Sequence, residues 1–118
     1  MKYDYDVIAI GAGSGGLSVV ERAAEHGKKC AVVEAKKLGG TCVNIGCVPK
    51  KVMWFGAHIA EALRDAPSFG FHVEQKGFDW STLVEKREQY INNITTWYDG
   101  YITDKGIDIL HGWGSFVD

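Results

Sequence analysis

The chain has 118 residues, of which 46% are hydrophobic, and 13 lysines and arginines against 15 aspartates and glutamates give a formal net charge of −2. This length fits one domain with an apolar core, and the balanced charge excludes the strongly basic surface expected for nucleic-acid binding. The N-terminus lacks a signal-peptide pattern and no apolar run approaches membrane-spanning length, so we expect a cytoplasmic protein with no membrane partner.

The first part of the chain predicts a strand, a helix and a second strand. Val7–Ile10 is a continuous apolar run, which is typical of a parallel strand covered on both faces. The apolar residues of the helix recur at helical spacing and are Leu17, Val20 and Ala24. Gly27 is placed to end the helix. Residues 30–33 form the second apolar run, and Glu34 closes it.

A glycine motif joins the first strand to the helix. Gly11 would allow a tight turn, Gly13 a close approach of the backbone to a pyrophosphate, and Gly16 close packing of helix and strand. Glu34 could accept hydrogen bonds from a ribose 2′-hydroxyl and would repel a 2′-phosphate. The alternative is a glycine-rich turn in an unrelated α/β protein. The order of these features predicts an α/β, Rossmann-like dinucleotide-binding domain, with helices flanking a parallel sheet.

Two cysteines, Cys42 and Cys47, follow this unit. Pro49 suits the first turn of a helix, so Cys47 should lie at a helix N-terminus, with Cys42 in the loop or turn before it. Amide dipoles at that position, together with the charges of Lys50 and Lys51, favour a thiolate. The pattern therefore predicts a reactive dithiol.

Two other roles of cysteines, a structural disulfide and a zinc site, fit this sequence less well. A structural disulfide is disfavoured in a chain with three cysteines and no export signal. A zinc site needs about four ligands, and no second cluster of suitable spacing follows. The histidines belong to no metal spacing; they are His26, His58, His72 and His111. We therefore expect no metal, and we expect Cys30 to be a buried, inert thiol within its strand.

The dithiol also selects among the dinucleotides. Glu34 is compatible with NAD or FAD but not with NADP at this site. A disulfide that exchanges electrons with a nicotinamide needs a carrier between them, and a flavin accepts hydride on one face while a thiolate attacks the other. Because Cys42 lies only eight residues after Glu34, the dithiol should stay near the bound nucleotide, and FAD is the favoured ligand.

The second half of the chain predicts two more helices. One continues from the dithiol through residues 52–64, with its apolar and aromatic residues expected in the core, and ends before Pro67. Asp79 is expected to cap the next helix, which ends near Gly106. Its apolar stripe comprises Trp80, Leu83, Val84, Arg87, Ile91, Ile94, Tyr98 and Tyr101. Two short strands are predicted at 107–110 and 115–117.

Three segments of this sequence resemble the flavoprotein disulfide reductases; they are residues 10–16, 33–34 and 38–54. Within that family the chain is most similar to the glutathione reductases, on the basis of Ser14, Lys50-Lys51 after Pro49, and residues 52–54. Lipoamide dehydrogenases and mercuric reductases usually carry Ser-Lys after the proline. Trypanothione reductases share Lys-Lys and are near neighbours, so another disulfide reductase of this family is the alternative.

The resemblance implies a role for each matching residue. Cys47 is similar to the cysteine that makes the charge-transfer contact with the flavin, Cys42 to the one that exchanges with glutathione disulfide, and Lys50 to the lysine near the reactive flavin nitrogen. Ser14 and Tyr98 match positions near the glutathione substrate, although Tyr98 could equally be a packing residue. The positions implied to bind FAD are Gly11, Gly13, Ser14, Gly15, Gly16, Glu34, Thr41, Cys42, Lys50 and Gly114.

The resemblance also implies parts that this sequence lacks. Residues 1–118 match only the N-terminal part of a FAD-binding domain, so we expect an incomplete domain that lacks the NADPH and dimerisation domains and does not turn over alone. NADPH would be bound elsewhere in an intact homodimeric enzyme. Glu21 stands where some relatives carry an arginine that assists glutathione binding. A stand-alone flavin-binding redox module is the alternative from another class.

Overall fold

A computed structural model describes residues 2–118. Its elements alternate between strands and helices over the first third of the chain and are mainly helical afterwards. In order they are β1 (Val7–Ile10), α1 (Ser14–Glu25), β2 (Cys30–Glu34), α2 (Gly40–Asn44), α3 (Cys47–Asp65), a 3-10 turn (Ala66–Phe69), α4 (Trp80–Asp104) and β3 (Asp108–His111).

The three strands form one parallel sheet in the order β1-β2-β3. Val7 is paired with Cys30, and Ala31 is paired with Asp108. Parallel neighbours need crossover connections, which α1 supplies between β1 and β2, and α2 to α4 supply between β2 and β3. The predicted strand–helix–strand unit and the α/β class are therefore confirmed.

The core lies between the sheet and two helices, α1 and α4. Its buried members come from strands, helices and the loops between them, and are Ala12, Leu17, Val20, Cys30, Val32, Leu38, Ile102 and Ile107. Their common side of the sheet carries Ala9, Val32 and Ile109, which are neighbours across the three strands. Cys30 is fully buried with burial raising the pKa of its thiol, as predicted for an inert cysteine.

The other side of the sheet is open in the described residues. Ile8 and Ile10 are 50% and 72% exposed, and Leu110 is 39% exposed. The prediction that β1 is covered on both faces is therefore wrong for this chain. The reason is that α1 and α4 both contribute to the single core cluster on the opposite side.

Helix α3 begins at Cys47 and runs as one piece to Asp65, where Pro67 follows as predicted. None of its residues is fully buried, so the expectation that its aromatic face enters the core is wrong. Trp54, Phe55 and Ile59 are all more than half exposed. Within residues 2–118, α3 packs along α4 and away from the sheet, which gives the chain extents of 73 × 28 × 21 Å.

Helix α4 begins as predicted at Asp79, whose carboxylate accepts a hydrogen bond from the Ser81 amide at 2.9 Å. Ile91 of the predicted stripe is buried, and so is Ile102, which was not part of that stripe, whereas Trp80 at the start of the stripe is exposed. Gly106 takes a positive φ of 71° just after the helix.

The strand predicted at 115–117 does not form, because no strand of the described residues lies beside it. Phe116 and Val117 are 97% and 93% exposed. The other predicted strand, at 107–110, is found as β3 with a shift of one residue.

Candidate functional site

The glycine turn between β1 and α1 has the geometry that its sequence predicts. Gly11 has φ of +100°, a conformation that strongly favours glycine, and its amide donates to the Val33 carbonyl at 2.7 Å. A Cβ at Gly16 would overlap the Gly11 carbonyl oxygen and meet the Ala9 side chain at 3.5 Å. Glycine is therefore required both for the turn and for the close packing of α1 on β1.

The first turn of α1 is exposed to solvent. No side chain of the described residues caps the helix at Gly13, so the first amides point outward without an intrahelical partner. Ser14 and Gly15 are exposed at this end. Such an array of amides at the positive end of a helix dipole suits a phosphate group.

The turn is in contact with the segment that carries Cys42. A Cβ at Gly40 would lie 2.7 Å from the Gly13 Cα, and the Gly39 amide donates to the Ala12 carbonyl at 2.8 Å. Gly39 and Gly40 have φ values of +96° and +62°. These two glycines therefore bring the N-terminus of α2 directly against the turn.

Glu34 accepts two backbone hydrogen bonds, one of which ties it to the glycine turn. Its Oε2 accepts from the Ala12 amide at 2.9 Å, and its Oε1 accepts from the Lys36 amide at 2.8 Å. Burial raises the pKa of Glu34, but the hydrogen bonds from the backbone amides outweigh it and leave the pKa below its usual value. Glu34 is thus a charged acceptor whose oxygens each keep a further lone pair for a ligand.

A cavity of about 570 Å³ opens beside Glu34. It is lined by backbone and side chains of four segments, namely Glu34, Ala35, Lys36, Lys37, Gly40, Thr41, Asn44, Ile45 and Trp113. The Lys36 ammonium lies 5.8 Å from the centre of the Trp113 ring. An acidic acceptor and an aromatic ring in one cavity fit the adenosine part of a dinucleotide.

The dithiol lies between two helices, with Cys42 in α2 and Cys47 as the first residue of α3. A Cβ at Gly46 would come within 2.9 Å of the Thr41 carbonyl oxygen and 3.3 Å of the Cys42 Cα. The chain therefore folds back tightly on Cys42 before α3 begins. Both thiols are free, Cys42 half-buried and Cys47 exposed.

The two sulfurs interact. The hydrogen bond with the Cys47 thiol is the largest of the effects that raise the pKa of Cys42, and partial burial adds to it. The backbone amide of Cys47 and the charge of Lys50 act in the opposite direction. At Cys42 in the reduced pair, the neighbouring thiol and partial burial therefore outweigh the Cys47 amide and the Lys50 charge.

Two other predicted site residues, Tyr98 and Gly114, contact other parts of the chain and not the dithiol. Tyr98 packs against the core cluster and edge-on to Trp97, at 5.0 Å between ring centres. Gly114 lies close to Ile10, since a Cβ there would come within 2.7 Å of the Ile10 Cγ2. The backbone of Gly114 is therefore next to the end of β1, where the glycine turn begins.

Sequence reasoning missed three contributors to the site. The Ala12 amide holds Glu34, and a backbone donor leaves no signal in the sequence. Gly40 makes the contact with the turn, and the consecutive glycines were the signal for it. Asn44 donates from Nδ2 to the Leu38 carbonyl at 3.0 Å and to the Gly40 carbonyl at 2.9 Å. The Asn44 side chain thereby closes the loop that carries Cys42, and the available signal was a polar amide side chain between the two cysteines.

Two further findings concern the whole described chain, residues 2–118. No helix in this part combines the length and the hydropathy that crossing a bilayer requires. No three histidine, cysteine or acidic side chains are grouped there in a way that could hold a metal ion.

Comparison with known proteins gives consistent matches. Residues 5–118 match the family model described as pyridine nucleotide-disulphide oxidoreductase. The chain is 41% identical over 124 aligned positions to a glutathione reductase of Debaryomyces hansenii, with 99% of this chain and 25% of that protein covered. It is 43% identical over 115 positions to a glutathione reductase of Yarrowia lipolytica, with 94% of this chain and 24% of that protein covered.

The chain thus spans about a quarter of the length of these curated relatives. The family model covers nearly all of it, including the glycine turn, Glu34 and both cysteines. This chain belongs to the pyridine nucleotide-disulphide oxidoreductase family.

Proposed function

We propose that residues 1–118 are the FAD-binding, dithiol-carrying part of an NADPH-dependent reductase that reduces glutathione disulfide to glutathione. The observation that carries the proposal is the backbone contact between Gly13 and Gly40. It makes one continuous surface of the glycine turn, Glu34 and Cys42, so that a dinucleotide held by the first two would reach the dithiol. The names of both relatives support the choice of substrate.

The residues present fit FAD. Glu34 would hold the adenosine ribose, the N-terminus of α1 at Gly13, Ser14, Gly15 and Gly16 would face the phosphates, and Gly114 would lie on the adenine side. Thr41, Cys42 and Lys50 would contact the flavin end. When bound, FAD supplies the two-electron carrier between a nicotinamide and a disulfide, and NADPH would bind outside this segment.

The dithiol would carry out the exchange with the substrate. The Cys42 thiolate attacks one sulfur of glutathione disulfide, forms a mixed disulfide and releases one glutathione thiolate. The Cys47 thiolate then attacks the Cys42 sulfur, which releases the second glutathione and closes the Cys42–Cys47 disulfide. The two electrons come from the dithiol, and its two protons end on the two glutathione thiols.

Contacts of Cys42 in the reduced pair affect how easily it loses its proton for this exchange. Cys42 must lose its proton before it attacks, and its contact with the Cys47 thiol opposes that loss. The Lys50 charge and the Cys47 amide favour the loss of the proton.

From the likeness to the glutathione reductases, we extend the proposal to Ser14 and Tyr98 as substrate contacts and to a homodimer for the intact protein.

Titration of the chain with FAD, followed by flavin fluorescence, tests the cofactor assignment. We expect FAD to bind and FMN, which lacks the adenosine, to bind much more weakly. Glu34→Ala should weaken FAD binding about tenfold, since it removes charge-assisted hydrogen bonds to the ribose. Glu74→Ala, a change at an exposed carboxylate outside the site, is the control. Equal affinity for FAD and FMN would overturn the assignment.

A further inference from the structure

The segment that follows β3 passes over the carboxyl ends of β2 and β1. The amide of Gly112 donates to the carbonyl of Glu34, the last residue of β2, at 3.0 Å. Two residues later, a Cβ at Gly114 would come within 2.7 Å of the Cγ2 of Ile10, the last residue of β1. Trp113 lies between these two anchored glycines. The fold therefore holds this side chain at the carboxyl edge of a parallel sheet, where open α/β sheets bind their ligands.

The ring of Trp113 is restrained on one face and accessible on the other. Trp113 is 80% exposed, and it lines the cavity of about 570 Å³ together with Glu34. The Lys36 ammonium lies over the ring, 5.8 Å from its centre. A cation–π contact occupies a single face of an indole, so the opposite face stays available to a flat group. Singly exposed aromatic residues are common, but this one shares a cavity with a carboxylate that suits a ribose.

The position of Glu34 limits which part of a dinucleotide can reach Trp113. An acidic residue at the end of the second strand of such a fold hydrogen-bonds the adenosine ribose. Because a base is bonded directly to its ribose, a ribose on Glu34 would place the base in the same cavity. The other residues that line this cavity are aliphatic, polar or charged, and Trp113 is the aromatic residue among them. The phosphates would lie toward the N-terminus of α1.

We propose that Trp113 stacks on the adenine ring of the dinucleotide and selects a purine at this end of the cofactor. The inference rests on the proposed function, since it takes FAD as the ligand and adds the residue that recognises its base. Gly114 would offer only backbone atoms on the adenine side, whereas Trp113 offers a ring face. Stacking depends on the face of the base and not on a particular hydrogen-bonding edge. A purine nucleotide should therefore bind more tightly here than a pyrimidine nucleotide with the same ribose and phosphates.

Calorimetric titration of the chain with ADP and UDP measures this preference. ADP carries the adenosine and the diphosphate of FAD, and UDP differs from ADP only in the base. Trp113→Ala should weaken ADP binding about tenfold, as expected for the loss of one stacked base, and should bring the affinities for ADP and UDP close together. Trp113→Phe keeps an aromatic face and should retain the ADP affinity within about threefold. Trp80→Ala, at an exposed tryptophan outside the cavity, should change neither affinity.

Tryptophan emission gives a second readout, because a stacked base quenches the fluorescence of an indole. ADP should quench the emission of the unmodified chain and of Trp80→Ala. It should not quench the emission of Trp113→Phe, to which ADP still binds. Circular dichroism checks that each variant folds.

The outcomes separate this proposal from the proposed function. Equal ADP affinities of Trp113→Ala and the unmodified chain, or an undiminished preference for ADP over UDP in Trp113→Ala, would overturn the stacking role of Trp113 and leave the assignment of FAD intact. Binding of ADP that depends on Trp113, without any binding of FAD, would overturn only the proposed function. Binding of neither ADP nor FAD would overturn both.

Discussion

Replacing Gly16 with alanine is the sharpest test of the structural account, because Gly15 next to it supplies a matched control. Both residues lie in the first turn of α1. A Cβ at Gly16 would overlap the Gly11 carbonyl oxygen, whereas a Cβ at Gly15 would have no atom within 4 Å. The two substitutions are chemically identical and differ only in what the new methyl group meets.

The expected effects have opposite signs. Gly15→Ala should stabilise the fold by about 0.4 to 1 kcal/mol, since alanine restricts the unfolded chain and fits a helix. Gly16→Ala gains the same amount but forces α1 away from β1, at a cost of about 1 to 3 kcal/mol for an overpacked site. The obstacle is backbone and cannot rotate aside, so we expect the upper part of that range and a net loss of about 2 kcal/mol.

Urea unfolding followed by tryptophan fluorescence measures the difference. With a slope of about 1 to 3 kcal/mol per molar urea, the midpoint of Gly16→Ala should fall by roughly 1 M, and that of Gly15→Ala should rise slightly. Equal midpoints for the two variants would show that α1 does not pack on Gly11 as described, and the prediction for the glycine turn would be refuted.

Three further predictions concern the rest of the site. Glu34→Gln should lower the free energy of unfolding by about 1 to 3 kcal/mol at pH 7. Because the folded-state pKa of Glu34 is lowered, the stabilisation by Glu34 exists above its unfolded pKa and should vanish as the pH falls through its folded pKa. Urea midpoints at several pH values would check this. Cys47→Ala should lower the pKa of Cys42 by removing its thiol partner, so the pH profile of iodoacetamide alkylation at Cys42 should move to lower pH; an unmoved profile would contradict the contact. Asn44→Asp should lower the urea midpoint by more than about 0.5 M, since it removes the donor to two carbonyls. The control, Asn93→Asp on the exposed side of α4, should leave the midpoint unchanged. Similar midpoints for both variants would argue against a stabilising role of the Asn44 side chain in the loop that carries Cys42.

Local patterns predicted the glycine turn, α1, Glu34 and the start of α3 at Cys47, because each depends on residues close in sequence. Gly11 and Gly27 have the positive φ values that their positions require. Pro49 lies within the first turn of α3, and Asp79 caps α4. In these segments, local conformational preference and the final structure agree.

The errors concern long-range packing. Apolar spacing in α3 indicated a core face, but spacing alone cannot say which surface a helix packs against, and Phe55 and Ile59 remain exposed here. The same holds for Ile8 and Ile10 on the open side of the sheet. The strand predicted at 115–117 had suitable residues but no neighbour to pair with. The contact of Gly13 with Gly40 depends on the folded path of the backbone between them, which residue types alone do not specify.

The proposed function depends most on a division of roles that the family resemblance implies, with Cys47 against the flavin and Cys42 toward the substrate. The most direct measurement is the visible absorption spectrum of the FAD-loaded Cys42→Ser and Cys47→Ser variants with the flavin oxidised. The account predicts a long-wavelength charge-transfer band in Cys42→Ser, where the Cys47 thiolate remains, and none in Cys47→Ser. The same spectrum in both variants, or a band only in Cys47→Ser, would contradict it.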